Sequence, residues 1–168
     1  MLNIGFVRRA LCVLLLSSLL AATGCGPTVD LATGIEIDEI STGWLAAGMV
    51  DGKNKVVPAV TFKLKNVSDQ KLTTLQVNAI FRRVNSNEEW GDGFRTVAGS
   101  RGLVPGAATD TVTINAQLGY TGADSHAAML YHSQFVDAKV DVFAKYGSNQ
   151  WARLGEYPVA RQLLRAQP

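Results

Sequence analysis

The sequence has few of the residues from which proteins build metal sites and crosslinks. It contains two cysteines and two histidines among 168 residues. His126 and His132 are six residues apart, which fits neither the i, i+4 spacing of a helical zinc site nor the i, i+2 spacing of a strand site. We therefore predict no metal site and no bound cofactor.

An excess of one charge is also missing. The chain has 16 basic and 14 acidic side chains, with no run of lysine or arginine. Nucleic-acid binding requires a clustered basic surface. These numbers argue against nucleic acid as a partner.

Long hydrophobic runs are limited to one, near the N-terminus. Arg8 and Arg9 precede an apolar stretch over residues 10–20, and small residues follow as far as Gly24. A positive segment, a short apolar segment and a small-residue cleavage site are typical of an export signal. We expect cleavage between Gly24 and Cys25. The alternatives are an ordinary secretory signal that leaves Cys25 as a free thiol, and an uncleaved helical anchor.

The ending Ala22-Thr23-Gly24-Cys25 resembles the lipobox of bacterial lipoproteins, with alanine at the position where leucine is usual. The resemblance implies a diacylglycerol on the thiol of Cys25 and an acyl chain on its amine, and so a membrane anchor. In the lipoproteins that this segment resembles, an aspartate directly after the cysteine tends to retain the protein at the inner membrane. Gly26 stands there in this chain, so the resemblance implies the outer membrane facing the periplasm rather than the inner membrane. Loss of residues 1–24 removes Arg8 and Arg9, so the net charge falls from +2 to zero and no disulfide is expected.

The remaining chain predicts one domain behind a short tether. Residues 25–34 have little periodicity and are interpreted as the lipidated N-terminus and tether, and residues 35–168 as the domain. Alternating polar and apolar residues predict strands through most of it. The expected strands lie near residues 35–40, 43–50, 60–65, 75–82, 94–97, 109–115, 136–142 and 151–157.

These strands predict an all-β fold: an antiparallel, immunoglobulin-like β-sandwich of about seven or eight strands, with a short helix near residues 124–132 capped by Asp124 or Ser125. The strands at 60–65 and 75–82 are expected to pair with each other. Ile80 breaks the polar face of its strand and suggests a second contact surface. Residues 159–165 are expected to form a last strand or a helix.

One stretch resembles bacterial immunoglobulin-like modules of the FxLYD kind. The resemblance is carried by Phe62-Lys63-Leu64-Lys65-Asn66, by the turn Ser68-Asp69-Gln70-Lys71-Leu72 and by Leu103-Val104-Pro105-Gly106. It covers roughly residues 60–115. It implies the sandwich fold, and its motifs are turns rather than a site.

No catalytic signature is present, and we predict that the protein is not an enzyme. The chain has no G-x-S-x-G motif. A glycosidase needs two carboxylates flanking a cleft, and the nearest approach to such a pair is Glu88 and Glu89 beside Trp90 in a polar loop. A periplasmic glycan-active protein or hydrolase using this loop is the alternative function.

Exposed aromatics on loops favour a binding function instead. The candidate surface consists of Trp90, Phe94, Tyr120 and Tyr131, and the competing interpretation is that such residues close the ends of the sandwich. Trp44 and Trp151 are expected in the core. We therefore expect a lipid-anchored, non-catalytic binding or scaffolding module with an envelope protein as partner, such as an accessory subunit of a transporter or assembly complex.

Overall fold

The computed structural model describes residues 29–86 and 88–165, so the export signal and Cys25 lie outside the described residues. Eight strands and two single-turn helices follow one another within this part of the chain. They are α1 Leu31–Gly34, β1 Ile35–Val50, β2 Lys53–Asn66, β3 Leu75–Arg83, β4 Glu89–Ala98, β5 Val112–Asn115, β6 Tyr120–Gly122, α2 His126–Met129, β7 Ala138–Tyr146 and β8 Ala152–Pro158.

The strands form two antiparallel sheets that pack as a sandwich. In the first sheet β2 lies between β1 on one side and β5 and β6 on the other, and the second sheet has the order β4, β3, β7, β8. The predicted all-β sandwich is confirmed. The expected pairing of the 60–65 strand with the 75–82 strand is wrong, because β2 and β3 lie in opposite sheets.

The first strand also differs from expectation. Two separate strands are expected at residues 35–40 and 43–50, but β1 is continuous and pairs along its length with β2. Bulges between Asp38 and Ser41 and between Ala46 and Met49 bend it without ending it. The hairpin turn falls at Asp51 and Gly52, where φ angles of 50° and 74° match a two-residue type I′ turn.

The residues before β1 are not an extended tether as far as position 34. Residues 31–34 form one helical turn, whose N-cap Asp30 accepts a hydrogen bond from the Ala32 N–H at 3.0 Å. Leu31, the first residue of this turn, and Ile35, which directly follows it, are 3% and 6% exposed. Burial of these two side chains draws the segment onto the core.

The core lies between the inner faces of the two sheets. Alternate residues of β2, β3 and β7 are fully buried there, which the alternating pattern predicts. Each fully buried large aliphatic or aromatic side chain contributes about 1.5–3 kcal/mol. The central set is Val60, Phe62, Leu64, Val77, Ala79, Phe81, Val140 and Val142.

The helical prediction near residues 124–132 is confirmed as a single turn. Ser125 caps α2 by accepting a hydrogen bond from the Ala128 N–H. Neither described helix has the length and apolar composition of a membrane span.

After β8 the chain forms neither of the two expected elements. It runs beside β1, where the Trp44 N–H donates to the Gln162 carbonyl at 2.8 Å and the Leu164 N–H donates to the Trp44 carbonyl at 2.9 Å. These two hydrogen bonds make one parallel bridge, which is too short for a strand.

Candidate functional site

Of the four aromatics predicted to bind a partner, Trp90 is buried and Tyr120 is half-buried. Trp90 is 8% exposed and contacts Trp44, with ring centroids 5.9 Å apart. The register explains this placement. Phe81 pairs with Gly91 and Arg82 with Glu89, so Trp90 is the extra residue of a bulge and its side chain turns inward. The prediction that Trp90 is an exposed contact is therefore wrong.

Tyr120 belongs to the same group of rings. Its ring lies 5.4 Å from Trp90 and 4.7 Å from Phe135, centroid to centroid. Its hydroxyl accepts a hydrogen bond from the Val136 N–H at 2.7 Å, which holds the segment after α2 against β6. We call Trp44, Trp90, Tyr120 and Phe135 the inner aromatic cluster. It closes one end of the core, so Tyr120 is a packing residue rather than a free contact.

A second group of apolar side chains lies on the outer surface of the β4–β3–β7–β8 sheet. Ile80, Phe143 and Trp151 line a shallow hollow of about 230 Å³ together with Asn78. Phe94 stands beside it, with its ring edge-to-face with Trp151 at a centroid distance of 6.1 Å. We call Ile80, Phe94, Phe143 and Trp151 the outer aromatic face.

The outer aromatic face is exposed to solvent. Phe94 and Trp151 are 45% and 39% exposed. The expectation that Trp151 lies in the core is wrong, because it precedes β8 and no strand covers it. Ile80, whose break in the alternation suggested a second contact surface, lies in the hollow.

Polar groups border the outer aromatic face. The Asn78 side-chain amide donates to Asp92 at 3.3 Å, and its Oδ1 is buried with no hydrogen-bond partner among the described residues. The Lys145 ammonium lies 5.9 Å from the centroid of the Trp151 ring, within cation–π range. A ligand on this face would meet an apolar floor with the Lys145 cation beside it.

The rest of the same surface is held by ion pairs. Asp141 is 6% exposed and accepts hydrogen bonds at 2.8 Å from both Arg82 Nη1 and Arg153 Nε. This bonding raises the pKa of Arg153 above its ordinary value. Glu156 joins the network through Arg153 and Lys139. These side chains hold one another in place on the outer surface of the sheet, beside the aromatic face.

Tyr131 lies apart from these groups. It follows α2 and is 76% exposed, and no contact between its ring and another aromatic ring is found within the described residues. A hollow of about 250 Å³ nearby is lined in part by Tyr120, Met129, His132 and Phe135. No cluster of three or more histidine, cysteine or acidic side chains suited to a metal is found in residues 29–86 and 88–165.

The two glutamates of the alternative catalytic loop are engaged in ion pairs. Glu88 contacts Arg83 at 2.8 Å, and Glu89 contacts Arg82 at 3.7 Å. The two residues lie at the start of β4 rather than on opposite walls of a cleft. With Trp90 buried behind them, the loop offers no exposed aromatic platform for a sugar.

Comparison with known proteins leaves the family open. No protein-family model matches the chain, and no curated protein matches it. Among solved structures, a Northeast Structural Genomics Consortium target, SoR45, is similar with a TM-score of 0.45 and 16% identity over 78% of this chain and 89% of that one. The ligand binding region of Serine-glutamate repeat protein A of Enterococcus faecium has a TM-score of 0.30 and 15% identity over 71% and 90%.

Proposed function

We propose that the protein is a lipid-anchored, non-catalytic binding module of the bacterial cell envelope, and that it engages a partner protein through the outer aromatic face. Acylated Cys25 would hold it on the outer membrane, facing the periplasm. The observation that supports the binding role is the exposure of Phe94 and Trp151 over an apolar hollow. An accessory subunit of a transporter or assembly complex is the form that we favour.

The exposed aromatic side chains of the outer aromatic face contribute little to folding. Phe94 and Trp151 leave much of their surface in water, so they stabilise the fold little. Aromatic side chains bury about 150–250 Å² each when covered and are enriched among residues that dominate binding energy. A partner that covered both would gain from apolar burial that the isolated domain does not use.

The position of the anchor favours a membrane-associated partner. Five residues, 26–30, and so six Cα–Cα steps, separate the acylated position from the start of α1. Fully extended, they span at most about 20 Å. Two or more acyl chains anchor a protein stably, so the domain would stay close to the bilayer and meet proteins held there.

Crosslinking in whole cells tests this proposal. The full chain would carry Phe94→Ala with Trp151→Ala, and Tyr131→Ala would be the matched control, since Tyr131 is the most exposed aromatic of the described residues. We expect the double variant to lose a specific crosslinked partner that wild type and the control retain. Equal crosslinking in all three proteins would contradict the proposed face. Intact mass of native protein and of Cys25→Ala separately tests the anchor.

A further inference from the structure

The free edge of β4 carries a second feature, located where the two sheets meet. β4 is an outer strand of its sheet, and its far side faces β5 of the other sheet. We call the space between β4 and residues 109–118 the seam. One half of the seam is closed by side chains, and the other half is open.

In the closed half, a side chain takes the place of a strand. Gln117 Oε1 accepts a hydrogen bond from the Asp92 N–H at 3.2 Å, and Gln117 Nε2 donates to the Asp92 carbonyl. The Leu118 N–H donates to the Trp90 carbonyl at 3.0 Å. Gly93 lies so close to Ile114 that a Cβ at this position would collide with it. The backbone of β4 is therefore satisfied and covered as far as residue 92.

These contacts fix which backbone groups point into the open half. The register with β3 is unbroken from Gly91 to Thr96, so residues on the same side as Asp92 alternate along the strand. Phe94 and Thr96 thus direct their N–H and C=O groups away from β3. Only the Phe94 carbonyl is engaged there within the described residues, by Arg95 Nη1 at 2.9 Å, and a carbonyl retains a second lone pair.

The open half has room for an extended chain. A groove of about 290 Å³ lies between residues 95–97 of β4 and residues 109–113. Its far wall is fixed, because Thr109 is buried and its Oγ1 accepts from the Leu64 N–H at 3.0 Å. Short polar side chains such as Thr111 and Thr113 line much of the rest.

We propose that this groove binds an extended peptide segment of the partner protein, which adds to the β4 edge as a fifth strand of the sheet. The proposal deepens the proposed function by naming the form of the partner. Strand addition takes its affinity from main-chain hydrogen bonds and its specificity from alternate side chains. The side-chain amide of Gln117 bonds to the N–H and the carbonyl of Asp92 as a neighbouring strand would. The peptide backbone would form the same pair of hydrogen bonds with Phe94 and with Thr96.

The geometry also specifies the peptide. Residues opposite Phe94 and Thr96 would project onto the outer surface of the sheet, where an apolar side chain would pack beside the outer aromatic face. The intervening residue would point into the groove, whose threonines suit a small or polar side chain. A charged residue opposite Phe94 would be disfavoured.

The test uses the full processed chain in detergent and a phage-displayed library of random 12-residue peptides as the probe. Thr96→Pro removes the edge N–H, and an edge strand tolerates proline at such a position. Thr96→Val keeps the N–H and is the matched control. We expect selected peptides to bind Thr96→Pro at least tenfold more weakly and Thr96→Val within about twofold of wild type. Amide exchange at Phe94 and Thr96 should slow when peptide binds.

Other outcomes would overturn the proposal. Thr111→Arg, which fills the groove at an exposed position, decides the matter if Thr96→Pro fails to fold, and it should weaken binding about as much. A library without binders, or binders indifferent to these variants, contradicts strand addition. If Thr96→Pro instead dissolves a dimer of this chain, the occupant is a second copy. A partner that still depends on Phe94 and Trp151 but ignores Thr96 would retain the proposed function alone.

Discussion

The inner aromatic cluster and the outer aromatic face contain similar side chains, but the first is buried and the second is exposed. Trp44 is fully buried among three other rings, whereas Trp151 is 39% exposed and contacts one ring and a lysine. The first group lies between the two sheets, and the second lies on the outer surface of one sheet. Burial, rather than residue type, separates an aromatic that stabilises the fold from one that is available to a partner.

The comparison is sharpest for the two tryptophans. We expect Trp44→Ala to lower the free energy of unfolding by about 3–5 kcal/mol, because it leaves a cavity among rings that cannot collapse. Trp151→Ala should change it by less than about 1 kcal/mol, since the site is open to water. Urea unfolding of both variants measures the difference.

Trp44→Phe serves as the control for ring packing. Trp44 Nε1 is buried with no hydrogen-bond partner among the described residues, so phenylalanine would remove an unsatisfied donor while keeping most ring contacts. Trp44→Phe should therefore lower the free energy of unfolding much less than Trp44→Ala does. Equal losses for Trp44→Ala and Trp151→Ala would end the distinction between the two groups.

Asn66 and Asn78 show the same contrast between a buried side chain and one on the outer surface of a sheet. Asn66 is fully buried, and its amide donates to the carbonyls of Gln70 at 2.8 Å and Leu103 at 2.9 Å while its Oδ1 accepts from Ser68. We expect Asn66→Ala to cost about 2–3 kcal/mol, because buried backbone groups lose their partners. Asn78→Ala, which breaks one 3.3 Å contact on the outer surface, should cost less than about 1 kcal/mol. Thermal unfolding of the pair would expose any reversal of this order.

The two halves of the seam extend the comparison to the backbone. Gly93→Ala would push a methyl group into Ile114, and we expect a loss of about 1–3 kcal/mol from overpacking. Gly99→Ala, with no atom within 4 Å of the added Cβ, should change stability by less than about 0.5 kcal/mol. If denaturant midpoints for the two variants coincide, the seam is not closed at residue 93.

Local features of the fold could be read from the sequence because they depend on neighbouring residues. Alternation predicts the strands around Phe62 and Val77, and residue type limits the helix cap to Asp124 or Ser125, of which Ser125 is the cap. The asparagine of the FxLYD-like stretch has a structural role that reaches beyond its neighbours in the sequence. Asn66 ties the turn after β2 to Leu103, so the matched segments meet in space.

The sequence does not predict which strands become neighbours in the sandwich or which side chains share a face. Alternation shows that a strand has one buried face, but not which strand lies beside it. The predicted pairing of β2 with β3 is therefore wrong. Trp90 turns inward because a single bulge reverses its side. The adjacent Gly91, with a φ of 129°, is a residue typical of a bulge, but it does not indicate which way the neighbouring side chain turns. Ile80 and Phe94 are the two members of the outer aromatic face that the sequence indicates, and Trp151, which lies just before β8, completes the face only after the chain has folded.

The smallest expected effect concerns an ion pair at a bulge. Glu39 has a φ of 49° in the first bulge of β1 and contacts the Lys63 ammonium at 2.7 Å. The hydrogen bond to Glu39 raises the pKa of Lys63, with smaller contributions from the charges of Glu39, Asp38 and Asp110 and an opposing effect of desolvation. A raised lysine pKa stabilises the fold at pH values below the unfolded pKa of about 10.4, and the stabilisation is lost as the pH rises through the folded value. Glu39→Gln should return the pKa of Lys63 towards its ordinary value in an NMR titration, and its stability difference from wild type should vanish at the most alkaline pH. A Lys63 titration curve unchanged by Glu39→Gln would show that solvent screens the pair, as it does many exposed ion pairs.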